Sequence, residues 1–217
     1  WRQGARLALA AGGREQHRLV SGGSGFGCLP LEQHFGLGEL EAVDSLEMGQ
    51  VVVVPMLFSE PFWKTRFSGP GEWTDPAGRR QFWIPHAPGQ GGTAIQGWFQ
   101  GSAAAELSAL GEDRGIARVI RWLEEASGER GLVEKLDWYH FQDWVTNPYT
   151  LGSYSITRPG GHGRRQALAQ PVVDTLYFAG EATAPPPHYQ TVHGAYLSGK
   201  RAAGQVLAAL DLDDAAS

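Results

Sequence analysis

The chain has 217 residues, 42% of them hydrophobic, which is enough for one large or two small domains with a proper core. Its formal net charge is −5 and its Lys and Arg residues are scattered, which argues against nucleic-acid binding through a basic face. The single cysteine, Cys28, excludes an intrachain disulfide framework and a Cys-rich metal site. Because no apolar run reaches about 18 residues, we expect no membrane span, and we expect a cytoplasmic protein without a metal site.

The first 42 residues have the weakest pattern. Residues 5–11 predict a short helix or a strand, which two glycines interrupt. A glycine-rich turn follows Leu19-Val20, but its glycines do not have the spacing of a dinucleotide-binding loop. Such a loop needs glycines at positions i, i+2 and i+5, and counted from Gly23 the last of these positions is Cys28. We therefore interpret this turn as a flexible connection.

From about residue 39 onward the pattern becomes regular. Leu40, Val43 and Leu46 recur every three residues and predict a short helix that ends near Met48-Gly49. Val51–Phe58 is apolar and rich in β-branched residues, which predicts a buried strand.

The middle of the chain mixes strand and helix patterns, which predicts a sheet backed by helices. In the predicted strand at 93–100, Ile95 and Phe99 alternate with other residues. In the predicted helix at 116–126, apolar residues occupy one side. The predicted elements are a loop at 66–78, strands at 81–85 and 93–100, helices at 103–110 and 116–126, and a mixed aromatic segment at 132–144.

The closing segment predicts a buried strand at 175–179, a Gly-Glu turn, a Pro-rich loop and a helix that opens near Thr191. As an N-cap, Thr191 would leave the first backbone N–H groups at the helix end, where they attract partial negative charge. The small residues Gly194, Ala195 and Gly199 would let a flat or bulky group lie close to the backbone. The predicted apolar face of the helix comprises Val192, Ala195, Ala202 or Ala203, Val206 and Leu210.

Three blocks of sequence, in this order, resemble the flavin-containing amine oxidases, a family that includes polyamine oxidases, monoamine oxidases, L-amino-acid oxidases and flavin-type histone demethylases. The resemblance extends over about residues 40–207. The blocks are Met48-Gly49 with the following strand and Pro61-Phe62-Trp63, Trp144-Val-Thr-Asn-Pro-Tyr149 with Gly152-Ser-Tyr-Ser155, and Phe178-Ala-Gly-Glu-Ala-Thr183 with Thr191-Val-His-Gly-Ala195.

The resemblance implies a mixed α/β fold, the C-terminal part of a two-domain FAD-dependent amine oxidase without its N-terminal Rossmann βαβ unit. Such an enzyme has a glutathione-reductase-like FAD domain and a substrate domain in which helices back a mixed sheet. By this resemblance residues 1–42 and 147–217 belong to the FAD domain and residues 43–146 to the substrate domain. A fragment of this kind is expected to self-associate or to bind an N-terminal companion chain.

The resemblance also implies the residues of the site. Tyr154 would form one wall of an aromatic cage in front of the flavin, and Tyr189 or His188 the opposite wall. Ser153 stands where the monoamine oxidases have the cysteine that carries the flavin, so FAD is expected to bind non-covalently, and weakly in the isolated chain. The implied cofactor contacts are Gly180, Glu181, Ala182, Thr191, Val192 and Ala195.

The activity that the resemblance implies is oxidation of a small-molecule amine, in which a hydride passes from the amine-bearing carbon to flavin N5 and the imine is hydrolysed. One position departs from the family pattern. Val53 aligns with a lysine that usually holds a water near flavin N5, and valine offers neither charge nor hydrogen bond. This departure favours one alternative, a truncated or degenerate homologue without catalysis. An L-amino-acid oxidase of the same family is a second alternative that stays open.

Overall fold

The computed structural model describes residues 6–10, 19–20, 37–65, 71–85, 92–172 and 176–210. The chain divides into two compact units, of which the first comprises Trp1–Met48 and Tyr154–Ser217 and the second comprises Gly49–Ser153. The glycine-rich turn after Leu19-Val20 lies outside the described residues. The assignment of residues 1–42, 43–146 and 147–217 to an FAD domain and a substrate domain stays a prediction.

The elements follow one another in mixed order along the chain. The strands are β1 (Arg6–Ala10), β2 (Leu19–Val20), β3 (Leu46–Met48), β4 (Val51–Phe58), β5 (Gly71–Thr74), β6 (Arg80–Ile84), β7 (Ala94–Gln100), β8 (Leu136–Tyr139), β9 (Gln142–Asp143), β10 (Ser155–Thr157) and β11 (Leu176–Ala179). The α-helices are α1 (Leu37–Asp44), α2 (Ser102–Ser127), α3 (Arg164–Leu168) and α4 (Val192–Ala209).

The second unit is an antiparallel sheet with helix α2 against one face. Its strand order is β5-β6-β7-β4-β8, and β9 also pairs with β4. Strand β4, which is paired on both sides, contributes alternate side chains to the core, and so the buried strand predicted from the apolar run of Val51–Phe58 is confirmed. On β7, Ile95 and Phe99 are buried and their neighbours are only half-buried, so the predicted alternation is confirmed.

Helix α2 contains a break that separates the two helices predicted for this region. Gly111 has φ 71° and ψ 176°, a conformation that is neither helical nor accessible to most L-residues. Leu107 on one side of the break and Leu123 on the other are fully buried in the same core. The glycine therefore lets two amphipathic helices bury their apolar sides in one core.

We expect Gly111→Ala to lower the free energy of unfolding by about 1–3 kcal/mol, because only glycine adopts this backbone conformation without strain. Space is not the reason, since no described heavy atom lies within 4 Å of the added Cβ. The matched control is Gly128→Asn, at a left-handed helix end (φ 81°, ψ −2°) that asparagine tolerates. Urea unfolding that shows equal losses for both variants would contradict the assignment of strain to the break.

Two predictions of secondary structure were wrong. Residues 71–74, expected within a loop, form β5, because Trp73 is buried in the core and β5 pairs with β6. Helix α1 ends at Asp44, and the expected last turn is strand β3, which pairs with β10. Both strands are decided by pairing with distant residues, which local spacing does not reveal.

Strand β11 lies in the interior of the first unit, and its four residues are all buried. β11 pairs in parallel with β1, which confirms a strand in the segment where a helix or strand was expected. One apolar cluster joins Ala42, Leu46, Leu168 and Phe178, and another joins Tyr177 to Ala202 of α4. The second cluster packs the middle of α4 against β11.

Candidate functional site

Helix α4 begins at the predicted residue. Thr191 is its N-cap, and its Oγ1 accepts a hydrogen bond from Gly194 N at 3.1 Å while donating to His188 O at 2.7 Å. Within the part of the chain that the structure describes, the N–H groups of Val192 and His193 meet no acceptor. Val192 is 90% exposed, so the core of the first unit does not cover the helix mouth.

The turn after β11 also leaves backbone donors available. Gly180 leads into a short 3-10 turn, Glu181–Thr183, and Gly180 N donates to Ser198 Oγ of α4 at 2.8 Å. The N–H groups of Glu181 and Ala182 meet no acceptor among the described residues. Among the predicted cofactor residues, Glu181, Ala182 and Val192 therefore have N–H groups without an acceptor in the described part of the chain.

The Glu181 carboxylate joins the turn to the loop before α4. Its Oε1 accepts from Ser155 N at 2.7 Å, and its Oε2 accepts from Ser155 Oγ at 2.9 Å and from Gln190 N at 2.9 Å. Gln190 Nε2 also donates to Ser155 O, at 2.8 Å. The structure thus brings Gly180, Glu181 and Ala182 together with Thr191 and Val192, although the Glu181 carboxylate itself is occupied by the protein.

Arg165 lies beneath this cluster and is only 5% exposed. Its guanidinium donates to Thr157 Oγ1 at 2.8 Å, to Ser155 Oγ at 2.5 Å and O at 3.0 Å, and to Ala182 O at 3.3 Å. Burial lowers the pKa of Arg165, and Glu181, whose Oε2 is 3.8 Å from Nη1, partly offsets that effect together with Tyr189. Sequence reasoning missed this residue, since nothing in the local pattern marks the second arginine of a pair as buried.

The two predicted cage tyrosines are both attached to this cluster. The ring of Tyr189 stacks over the Arg165 guanidinium, with 4.6 Å from Cζ to the ring centroid, and its hydroxyl accepts from Gln166 Nε2 at 2.8 Å. Tyr154 is half-buried and directly precedes Ser155, which binds Glu181. One face of Tyr189 is therefore occupied by Arg165.

Arg201 of α4 supports the same turn from the opposite direction. Its guanidinium donates to Phe178 O at 2.9 Å and to Thr183 Oγ1 at 3.0 Å, and it also bonds to Ala169 O. Burial lowers the pKa of Arg201. The helix, the end of β11 and the 3-10 turn are thus joined by one side chain.

The apolar face predicted for α4 is partly wrong. The buried positions are Gly194, Ser198 and Ala202, with Val206 packed beside Ala202, whereas Val192, Ala203 and Leu210 are exposed. The reason is that Ser198 bonds to Gly180 and so turns its own side of the helix toward β11. Gly194 serves the protein's own backbone, because a Cβ there would lie 1.8 Å from His188 O.

Val53 lies in the second unit, where it is half-buried on β4. Its register partners across the sheet are Trp98 of β7 and Gln142 of β9, and the Trp98 ring stacks on Trp83 with 5.5 Å between centroids. Ser153 also lies in this unit, and its backbone N–H donates to Gly49 O at 2.9 Å.

Two kinds of feature are absent from the residues that the structure describes. None of the helices within them is both long and apolar enough to span a bilayer. Those residues also contain no group of three or more His, Cys, Asp or Glu side chains that could hold a metal ion.

Comparison with known proteins decides the family. The model of the family described as flavin containing amine oxidoreductase matches residues 25–207. This chain belongs to the flavin containing amine oxidoreductase family. The resemblance found in the sequence is therefore confirmed, and membership in this family implies a flavin cofactor.

Curated relatives within the family are named as histone demethylases. Lysine-specific histone demethylase 1 homolog 1 of Oryza sativa subsp. japonica is 31% identical over 174 residues, which cover 78% of this chain and 20% of that protein. Lysine-specific histone demethylase 1 homolog 2 of Arabidopsis thaliana is 33% identical over 172 residues, which cover 76% of this chain and 23% of that protein. This member of the amine oxidoreductase family thus spans about a fifth of the length of these relatives.

A solved structure confirms the fold class. A putrescine oxidase mutant superposes with a TM-score of 0.66 and 19% identity, over 82% of this chain and 39% of that one. The predicted mixed α/β fold of part of a flavin amine oxidase is therefore confirmed. The comparisons give no support to the predicted N-terminal companion chain.

Proposed function

We propose that this chain forms the C-terminal, cofactor-contacting part of an FAD-dependent amine oxidase, with FAD held non-covalently. The observation that carries the proposal is the bond from Gln190 N to Glu181 Oε2, because it joins the two stretches that were predicted to contact FAD. Both stretches have backbone N–H groups without acceptors among the described residues. Residues 1–48 and 154–217 then belong to the FAD domain, and residues 49–153 to the substrate domain.

The residues suit a flavin for an electrostatic reason. The amides of Glu181 and Ala182 can donate to phosphate or ribityl oxygens, and those of Val192 and His193 to a ring carbonyl. The start of an eighteen-residue helix adds a partial positive charge that stabilises electron density at the same place. A bound FAD would supply the two-electron acceptor that amine oxidation needs.

The aromatic side chains would handle the amine. Tyr154, and the face of Tyr189 that Arg165 leaves free, offer aromatic surfaces that exclude water and orient a cationic or neutral amine. His188, which precedes Tyr189 in the chain, is hydrogen-bonded to His193, with 3.0 Å between Nδ1 and Nε2.

Flavin binding is tested most directly at the helix mouth. We expect the chain to bind FAD weakly and Val192→Asp to weaken this binding by about tenfold or more, since a carboxylate there repels an electron-rich ring edge. Fold loss is not expected, because Val192 is 90% exposed and an acidic residue in the first helical turn suits the helix dipole. Fluorescence titration with FAD measures the dissociation constant.

The control for this titration is Tyr196→Asp, one turn further along the exposed side of α4. It adds the same charge away from the helix mouth and should leave the dissociation constant nearly unchanged. Equal losses for the two variants would contradict a flavin contact at Val192, and a wild-type chain that takes up no FAD would contradict the proposed function.

The substrate class is tested with a panel of amines. The relatives are named as lysine-specific histone demethylases and a structural neighbour as putrescine oxidase, so the panel contains a methyl-lysine histone peptide, putrescine, aryl-alkyl amines and L-amino acids. Hydrogen peroxide release with L-amino acids alone would favour the L-amino-acid oxidase alternative. Val53 favours the other alternative, a homologue without catalysis, for which FAD binding without turnover of any amine is the expected result.

A further inference from the structure

Gln190 has an unusual backbone conformation directly before the N-cap of α4. Its φ is 61°, a left-handed value that costs a non-glycine residue energy unless surrounding contacts impose it. Two contacts impose it here, since the backbone N–H donates to Glu181 Oε2 and the side-chain amide donates to Ser155 O. The direction in which α4 starts therefore depends on where Glu181 and Ser155 are held.

Both anchors of Gln190 are held by the same guanidinium. Arg165 donates to the hydroxyl and the carbonyl of Ser155, and its charge lies 3.8 Å from Glu181 Oε2. The same group also lies under the ring of Tyr189, the residue before Gln190. One side chain on α3 thus lies against Ser155, Glu181 and Tyr189, which bind or directly precede Gln190.

We propose that Arg165 is a positioning residue of the flavin and amine site, which holds Ser155 and Glu181 and so fixes the left-handed turn at Gln190. The inference rests on the proposed function for its consequence, since a displaced turn would move the N–H groups at the helix mouth and the ring of Tyr189. The positioning itself is a property of this chain alone.

Arginine is needed for its shape as well as its charge. The planar guanidinium reaches Thr157 Oγ1, Ser155 and Ala182 O from one position and presents a flat surface to Tyr189. A lysine at this position would keep the positive charge near Glu181 but could not donate in these several directions at once. Arg165→Lys therefore separates the geometric role from the role of charge.

The experiment is hydrogen exchange on the full chain, in Arg165→Met and Arg165→Lys. The matched control is Arg164→Met, which removes the neighbouring arginine and its half-exposed pair with Glu41. Among residues 188–194, the hydrogen-bonded amides of His188, Gln190 and Gly194 are expected to exchange about tenfold faster or more in both Arg165 variants, through easier local opening. The amides of β11 are expected to keep their protection in all three variants, which reports that the unit is folded.

The outcomes separate this inference from the proposed function. The inference would be overturned if exchange across residues 188–194 were unchanged in folded Arg165→Lys. It would also be overturned if Arg165→Met lost the protection of these amides and Arg165→Lys kept it in full. If Arg165→Met fails to fold, Arg165→Lys decides alone. In parallel, FAD titration should show a dissociation constant about tenfold larger for both Arg165 variants and no change for Arg164→Met. Absence of FAD binding in the wild-type chain would sink the proposed function and leave the exchange result to judge Arg165.

Discussion

Gly194→Ala is expected to lower the free energy of unfolding by about 3 kcal/mol, since an added methylene in a closed space forces the backbone to move. The Cβ would lie 1.8 Å from His188 O and 2.9 Å from both His188 C and Thr191 Oγ1. The two nearest atoms belong to the backbone of His188, so the loop before α4 would have to shift. The N-cap of the helix would be lost with it.

The same substitution elsewhere in α4 is expected to have the opposite sign. Gly199 and Gly204 have no described heavy atom within 4 Å of an added Cβ. Alanine there should raise stability by about 0.5–1 kcal/mol, because it reduces the backbone entropy of the unfolded chain. Thermal or urea unfolding of the three variants measures the contrast. Equal stability of Gly194→Ala and Gly199→Ala would show that His188 does not pack as described.

Glu181→Ala is expected to cost about 3 kcal/mol, the loss seen when one partner of a largely buried charge pair is removed. The substitution leaves Ser155 N, Ser155 Oγ and Gln190 N without their acceptor. It also leaves the buried guanidinium of Arg165 without the nearby carboxylate. A control on the protein surface is Glu47→Ala, whose half-exposed pair with Arg158 should contribute about 0–1 kcal/mol.

A double-mutant cycle of Glu181→Ala with Arg165→Met measures the coupling between the two charges. Removing both is expected to cost less than the sum of the single losses, by about 1–3 kcal/mol, because neither charge is then left uncompensated. Additive losses in urea unfolding would mean that Glu181 acts only through its hydrogen bonds to the uncharged groups of Ser155 and Gln190. A loss for Glu181→Ala no larger than that for Glu47→Ala would contradict the cluster itself.

Local pattern was sufficient for the elements whose side chains repeat regularly. The apolar run at Val51–Phe58 predicted strand β4, and the two apolar periodicities around Gly111 predicted the two parts of α2. Thr191 predicted the start of α4, because an N-cap depends on residues within one turn of it. The family was also legible in the sequence, since its blocks are short and contiguous.

Tertiary contacts decided the strands at 46–48 and 71–74, the buried side of α4 and the whole Arg165 cluster. Each depends on a partner far along the chain: β3 on β10, Trp73 on the core of the second unit, and Ser198 on Gly180. Arg165 and Gln190 look like ordinary polar residues in sequence, because burial and left-handed backbone are imposed by Ser155 and Glu181. Periodicity reports which side of an element is apolar, but only packing determines which polar groups meet beneath it.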